Sequence, residues 1–365
     1  MRILYFLGHP KLYGSELHLL QIARYFVQKH EVLVITFEEG PLLTELAKYG
    51  VPYRVIPAGW LLKPALSKEI ETAVKDFAPD ILHAHQPKAA YFASRIGKRL
   101  KIPVLSTVHS RPVNNANLYK GVRFYVTYAF HFWVKLVSEF LSDRLIFVSQ
   151  TFLKESLFKK KSLVMPNWIS PDYPAEVPAK SFPKNRAWNI LCTGSVTPAK
   201  GYEMLLDFVA AIRGTDYKLT IVGAGEEAYI QELKNRAAEY GILQRVEFLG
   251  YQPNPARFYL EADIFALFSM AETFGLAYAE AAYFGLPVFA RNLQVLKEIL
   301  PDGNILSGDL IALKQGWLEI TGSARRYERQ SHANTEFVKT QFGYEPSMQR
   351  LEELYAEMTM RKTRE

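Results

Sequence analysis

Short apolar runs rich in β-branched and aromatic residues alternate along this chain with longer stretches whose apolar positions recur at helical spacing. Residues 3–7, 31–37, 53–56, 81–84, 104–108 and 145–148 read as strands. Residues 15–29, 42–49, 89–100 and the aromatic stretch 119–141 read as the helices between them. The strands are apolar almost throughout, which is the pattern of parallel strands covered on both faces. Alternation of this kind builds an α/β, doubly wound sheet. Between Met165 and Trp188, residues Pro166, Pro171, Pro174, Pro178 and Pro183 interrupt any regular element and mark an interdomain linker. The alternation then restarts, with strands over 189–193, 218–222, 246–249, 264–267 and 287–290 and helices near 202–212, 228–240 and 274–283. From Pro346 onward, Met348, Leu351, Leu354, Tyr355 and Met358 fall on one stripe of a helix that Ser347 can cap.

The expected organisation is a Rossmann-like domain over 1–165, a proline-rich linker over 166–188, a second Rossmann-like domain over 189–345, and a C-terminal helix over 346–365 crossing back toward the first lobe. No period of 20–50 residues is present, which excludes a solenoid. Two doubly wound parallel sheets facing one another make a central cleft, and open α/β sheets bind ligands beyond the carboxyl ends of their strands. Chemistry is therefore sought in strand-to-helix loops.

At 365 residues the chain exceeds what one core usually organises, in keeping with two lobes. Its 49% hydrophobic and 22% charged residues exclude a disordered, collagenous or coiled-coil chain. The one cysteine, Cys192, reads as a buried strand thiol and excludes an internal disulfide framework and a cysteine metal cluster. The apolar start ends at Gly8 and Pro10, too short for a signal peptide, and the charge-free run from Phe124 to Val134 is too short to span a bilayer. A cytoplasmic protein is expected, with a peripheral position at the inner face of the membrane left open. The net charge of +7 is uneven, with 23 Lys and Arg against 12 Asp and Glu in residues 1–161 and 21 against 25 in the remainder. Either the first lobe meets an anionic acceptor or membrane surface, with no nucleic acid among the expected partners, or it carries a solvated basic face.

The sharpest chemical signal is Glu272-Thr273-Phe274-Gly275-Leu276, with a second carboxylate at Glu280. Eight residues at 100° each leave the two roughly 80° out of phase on a continuous helix, so Glu272 is placed in the loop before it. A helix starting near Thr273 would point the amides of Phe274, Gly275 and Leu276 at a phosphate or sugar hydroxyl. Glu280 could then accept two hydrogen bonds from a vicinal diol such as a ribose, and Glu272 could bind hydroxyls of a second ring. The bland alternative is a capping carboxylate followed by a satisfied glutamate. Gly223-Ala224-Gly225 follows a strand and opens a helix, with Glu247 22 residues beyond Gly225, a passable dinucleotide fingerprint. It lies on an inner strand of the second lobe, so a nicotinamide cofactor is not expected. His83 and His85 share one strand face, a spacing open to metal, but with no third ligand nearby in sequence they read as packing residues. No Asp-x-Asp pair, a common short acidic metal-binding pattern, is present. Phe124, Tyr125, Tyr128, Phe130, Phe132 and Trp133, followed by Lys159-Lys160-Lys161, suit a basic aromatic helix lying on a membrane; packing beneath the first lobe is the favoured reading.

The Glu-x7-Glu spacing with Gly285-Leu286-Pro287-Val288 after it resembles the signature of GT-B retaining glycosyltransferases, specifically glycosyltransferase family 4. Further counterparts run in order along nearly the whole chain. They are Tyr13-Gly14-Ser15-Glu16 for the first glycine loop, Asp80-Ile81-Leu82-His83-Ala84-His85, Thr107-Val108-His109, Val148-Ser149, Pro166-Asn167, and Gly194-Ser195 to Lys200-Gly201 for the phosphate loop. One departure is that Ser195 stands where many members carry Arg. The resemblance implies a two-lobed GT-B enzyme that moves a sugar from a nucleotide diphosphate sugar (UDP-sugar favoured, GDP-mannose possible) to a carbohydrate or lipid-linked acceptor with retention. It implies catalytic roles for His109, Glu272 and Lys200. Donor contacts are implied for Gly14, Ser195, Lys200, Gly223, Gly225, Tyr251, Glu272, Thr273, Phe274, Gly275, Leu276 and Glu280. No metal, cofactor or protein nucleophile is implied. A nucleotide-sugar binding protein with weak catalysis and a GT-B epimerase are the alternatives.

Overall fold

In the computed structural model, which describes residues 1–12, 14–57, 64–111 and 121–362, the chain divides into two compact units. Unit 1 comprises Met1–Asn167 with Tyr344–Glu365, and unit 2 comprises Trp168–Gly343.

Unit 1 is built on a seven-stranded sheet in the order β3-β2-β1-β4-β5-β6-β7. Its members are β1 (Arg2–Leu7), β2 (Glu31–Thr36), β3 (Tyr53–Val55), β4 (Ile81–His85), β5 (Val104–Val108), β6 (Arg144–Phe147) and β7 (Ser162–Val164). Every pairing is parallel, and β1 is aligned between β2 and β4, with Leu4 opposite both Leu33 and Leu82. The order reverses between β1 and β4, the place where an open α/β sheet opens a crevice at its carboxyl edge. Helices α1 (Gly14–Phe26), α2 (Leu42–Lys48), α3 (Pro64–Phe77), α4 (Pro87–Leu100) and α5 (Val122–Leu141) make the crossovers. Helix α3 is absent from the elements expected above, although Leu66, Ile70, Ala73 and Val74 are buried on it at the four-three-one spacing of a helix face.

Unit 2 carries a six-stranded sheet in the order β10-β9-β8-β11-β12-β13, again parallel throughout. Its strands are β8 (Trp188–Thr193), β9 (Tyr217–Val222), β10 (Val246–Phe248), β11 (Ile264–Leu267), β12 (Val288–Ala290) and β13 (Ile305–Leu306). Helices Leu310–Thr321 and Ala324–Gln341, also absent from the expected elements, bury Trp317 and Tyr327 against this sheet's core. The proline-rich segment is fastened to unit 2, where Trp168 and Ile169 are buried and the Tyr283 hydroxyl donates to the Pro174 carbonyl at 2.7 Å. Lys180 donates to the carbonyls of Tyr259, Leu260 and Ala262, satisfying the C-terminal end of the short helix Ala256–Glu261.

The C-terminal helix Tyr344–Lys362 belongs to unit 1. Its apolar stripe of Met348, Leu351 and Tyr355 is fully buried, and Tyr344 donates to the Gln21 carbonyl at 2.7 Å. The Tyr355 hydroxyl meets His83 Nδ1 at 2.6 Å, while His83 Nε2 meets the Thr107 hydroxyl at 2.7 Å. His83 is therefore a hydrogen-bonded core residue, and burial depresses its pKa to about 3.

Candidate functional site

In unit 2 the predicted residues collect at the carboxyl ends of β8, β9 and β11. After Thr193 the chain turns through Gly194 at φ +138° and reaches a short 3-10 turn, Pro198–Lys200, ended by Gly201 at φ +67°. A Cβ on Gly201 would sit 2.1 Å from the Phe268 carbonyl oxygen, so only glycine lets this loop lie against the end of β11. The Met270 amide donates to the Ala199 carbonyl at 2.9 Å and locks the loops side by side. That contact sets Lys200 Nζ 2.7 Å from Glu272 Oε1, with the lysine 27% and the carboxylate 11% exposed. Ser195 is exposed on the same loop.

Gly223 and Gly225 bring two loops into backbone contact. Their Cβ positions would fall 1.8 Å from the Gly194 oxygen and 2.4 Å from the Val196 oxygen, and the Gly223 amide is already taken by the Gly250 carbonyl. They let the phosphate-type loop and the β9 loop touch backbone to backbone. Tyr251, next to Gly250, is about half exposed.

The helix that carries Glu280 begins at Leu276, not near Thr273. Phe274 is buried against Phe342, and Gly275 adopts φ +98°, outside helical geometry. The amides that open the helix are thus those of Leu276 and Ala277, because the Tyr278 and Ala279 amides bond to the Gly275 carbonyl. The Phe274 side chain is packed into the core of unit 2. Glu280 Oε2 accepts from the Tyr259 hydroxyl at 2.9 Å, and that hydroxyl in turn accepts from Thr193 at 2.6 Å. Burial raises the Glu280 carboxyl pKa to about 7 in spite of the hydrogen bonds from Tyr259 and Tyr173 that favour its charge. Cys192, beneath the loop, is buried and its thiol is pushed up to about 12, which leaves it inert. A residue without any sequence signal is Arg291, just after β12. It donates Nε to the Phe268 carbonyl that Gly201 also approaches, and so places a guanidinium beside this loop.

In unit 1 the structure corrects the view that His85 lacks companions. His85 Nδ1 lies 3.0 Å from His109 Nε2, and His18 from α1 packs its ring edge-on to His109 with centroids 4.8 Å apart. One ligating nitrogen from each of the three lies within 4.8 Å of the others, a spacing that could hold a metal ion. Desolvation holds all three neutral, with His109 depressed to about 4 and His18 and His85 driven further down by neighbouring imidazoles. A neutral imidazole can donate at one nitrogen and accept at the other, which suits a sugar hydroxyl.

Two further residues of unit 1 bear on this loop cluster. Gln86, held at φ +74°, accepts from the Gly8 and His9 amides through Oε1 and donates to the buried Glu16. It thus clamps the first loop and α1 to the end of β4, and only the fold brings these partners together. Gly14, the first residue of α1, is exposed, and a Cβ placed there would meet nothing within 4 Å.

Two parallel-sheet Rossmann-like units are the architecture of the GT-B fold. Anabaena Alr3699/HepE, solved with UDP and glucose, has the same fold at a TM-score of 0.81, with 18% identity over 98% of this chain and 99% of that one. WaaG, a glycosyltransferase involved in lipopolysaccharide biosynthesis, aligns at 0.71 with 15% identity over 95% and 98%. Residues 13–173 match Glycosyltransferase Family 4 and residues 175–331 match Glycosyl transferases group 1. The chain belongs to glycosyltransferase family 4. In sequence it is 24% identical to the phosphatidyl-myo-inositol mannosyltransferase of Mycobacterium leprae, over 89% of this chain and 88% of the relative. It is 25% identical to the alpha-monoglucosyldiacylglycerol synthase of Streptococcus pneumoniae over 65% and 57%.

Proposed function

We propose that this transferase moves a hexosyl unit from a nucleoside diphosphate sugar, a UDP-sugar in preference to GDP-mannose, to a glycan, lipid or other cell-envelope acceptor with retention at the anomeric carbon. The observation that carries the reading is the Lys200–Glu272 pair beside the helix that opens at Leu276 and Ala277, with Glu280 on that same helix. Lys200 and the amides stabilise charge on the departing diphosphate, and Glu272 holds sugar hydroxyls. Glu280 takes the ribose diol, and His109 orients the donor sugar as a neutral hydrogen-bonding group. The solved relatives containing UDP and UDP-glucose, and the two relatives named for lipids, point the same way. No side chain is assigned as nucleophile; front-face substitution lets the leaving phosphate assist deprotonation of the acceptor.

The test is incubation with UDP-glucose, UDP-galactose and GDP-mannose, reading nucleoside diphosphate release and, by NMR, the anomeric configuration of the product. Release from a UDP-sugar with an α-linked product from an α-donor is expected, and it should survive EDTA. An inverted product, or turnover restored only by Mn²⁺ or Mg²⁺, overturns the reading. The exposed Ser195 in place of a guanidinium favours a second reading, a nucleotide-sugar binder of weak turnover. Tight donor binding without release on any acceptor-containing membrane extract would select it.

A further inference from the structure

Helix α5 carries apolar side chains where a solvated helix carries polar ones. Tyr125, Val126, Phe130, Phe132, Trp133 and Phe140 are all exposed, Tyr125 at 71% and Phe140 at 66%. Arg123 is the one Asp, Glu, Lys or Arg between Val122 and Val134. Val126, Phe130, Trp133 and Phe140 follow one another at spacings of four, three and seven, so they line a single side of a helix of 20 residues, about 30 Å long, while Val137 between the last two packs partly against the unit 1 core. Burial is confined to the C-terminal half, at Val134, Ser138 and Glu139. An apolar surface of this extent on a globular unit marks a contact site.

At the C-terminal end of the helix the stripe runs into the basic turn Lys159–Lys161. Phe140 packs on Phe158 with ring centroids 6.1 Å apart, and Lys161 caps the helix by donating to the Phe140 and Ser142 carbonyls. Lys159 and Lys160 stay exposed, and Leu157 beside them is 74% exposed. The acidic residue of the helix, Glu139, is buried against Lys135. A two-fold pairing of copies through this stripe would therefore bring no helix carboxylate to the exposed lysines.

We propose that the exposed face of α5 and the Lys159–Lys161 turn dock the chain on an anionic phospholipid bilayer, with the aromatic stripe at the boundary between headgroups and acyl chains. Tyr and Trp favour that boundary, and exposed lysines match anionic headgroups. Among the described residues no helix is long and apolar enough to cross a membrane, so the helix lies on the surface. The proposal stands apart from the donor chemistry, because vesicle binding and nucleotide binding are read separately.

The experiment is co-sedimentation of the full chain with phosphatidylcholine vesicles, with and without 30% phosphatidylglycerol, at 50 and 300 mM salt. Trp fluorescence is recorded with brominated lipids. Among the described tryptophans, Trp168, Trp188 and Trp317 are buried and Trp133 is exposed, so the difference between wild type and Trp133→Phe isolates the signal of Trp133. Binding to anionic vesicles, weakened by salt and quenched in wild type but not in Trp133→Phe, is expected. Lys159→Ser/Lys160→Ser should weaken it by about ten-fold or more, and Val126→Ser/Phe130→Ser/Phe140→Ser should abolish it. Each variant should keep its thermal unfolding and its stabilisation by UDP. Absence of binding at 50 mM salt overturns the proposal, as does binding indifferent to both variants. It is equally overturned if the serine variants merely convert a dimer to a monomer, which would give the face to a second copy.

Discussion

Lys200 and Glu272 hold each other at 2.7 Å on loops that touch through backbone, so removing either side chain leaves the other in a half-dry place. Lys200→Met should lower turnover about 10²–10³-fold, the range for losing one preorganised group at a developing charge. It should also lower stability by about 1–3 kcal/mol through the orphaned carboxylate. Adding Glu272→Gln should restore the stability and leave turnover low. Recovery of turnover in the double variant would count against a role for Lys200 at the diphosphate.

Glu280 offers a pH signature. Its carboxyl pKa is raised to about 7 by burial, so the ionised form that accepts a diol becomes populated only as pH rises through neutrality. Nucleotide affinity in calorimetry should increase from pH 6 to pH 8. Glu280→Gln should flatten that dependence and cost about 1.5–3 kcal/mol of binding at pH 8. Unchanged affinity would remove Glu280 from the site.

At the scale of elements, two loops depend on glycines for opposite reasons. A methyl at Gly223 would meet the Gly194 oxygen at 1.8 Å, so Gly223→Ala should force the β8 and β9 loops apart and cost about 1–3 kcal/mol in thermal unfolding. Gly14 starts α1 in open space, so Gly14→Ala should leave stability unchanged or raise it by up to about 1 kcal/mol. It should weaken donor binding all the same, if the first loop approaches the diphosphate. A stability loss at Gly14 equal to that at Gly223 would show that α1 begins differently.

At the scale of the whole molecule the two units carry opposite pH dependences. His18, His83, His85 and His109 are all depressed below 6.5 by burial. The stability they confer on unit 1 is complete above pH 6.5 and is lost as pH falls toward 4 and below. Glu280, raised above 4.5, works the other way in unit 2: its contribution is complete in acid and is lost as pH rises through about 7. Calorimetry from pH 8 to pH 5 should therefore show the unit 1 transition moving down relative to that of unit 2. Parallel movement of both would contradict this division.

The alternation of apolar runs with helical stretches is enough to read two parallel sheets, because strands buried on both faces must be apolar at every position. The Glu272–Glu280 spacing, the Lys200 loop and the family itself are equally legible, since each is carried by residues close in sequence. Three features are settled by tertiary structure. Helix α5 exposes aromatic residues for which packing is the favoured reading of the sequence, because composition gives no direction for a side chain and only the neighbours bury it. His18 lies 67 positions from His85, and Gln86 lies 78 from Gly8; only the parallel pairing of β1 with β4 joins their loops. The start of the Glu280 helix goes with the burial of Phe274 against Phe342, 68 positions away. Local pattern decides which elements form; long-range packing decides which of their polar groups remain free to do chemistry.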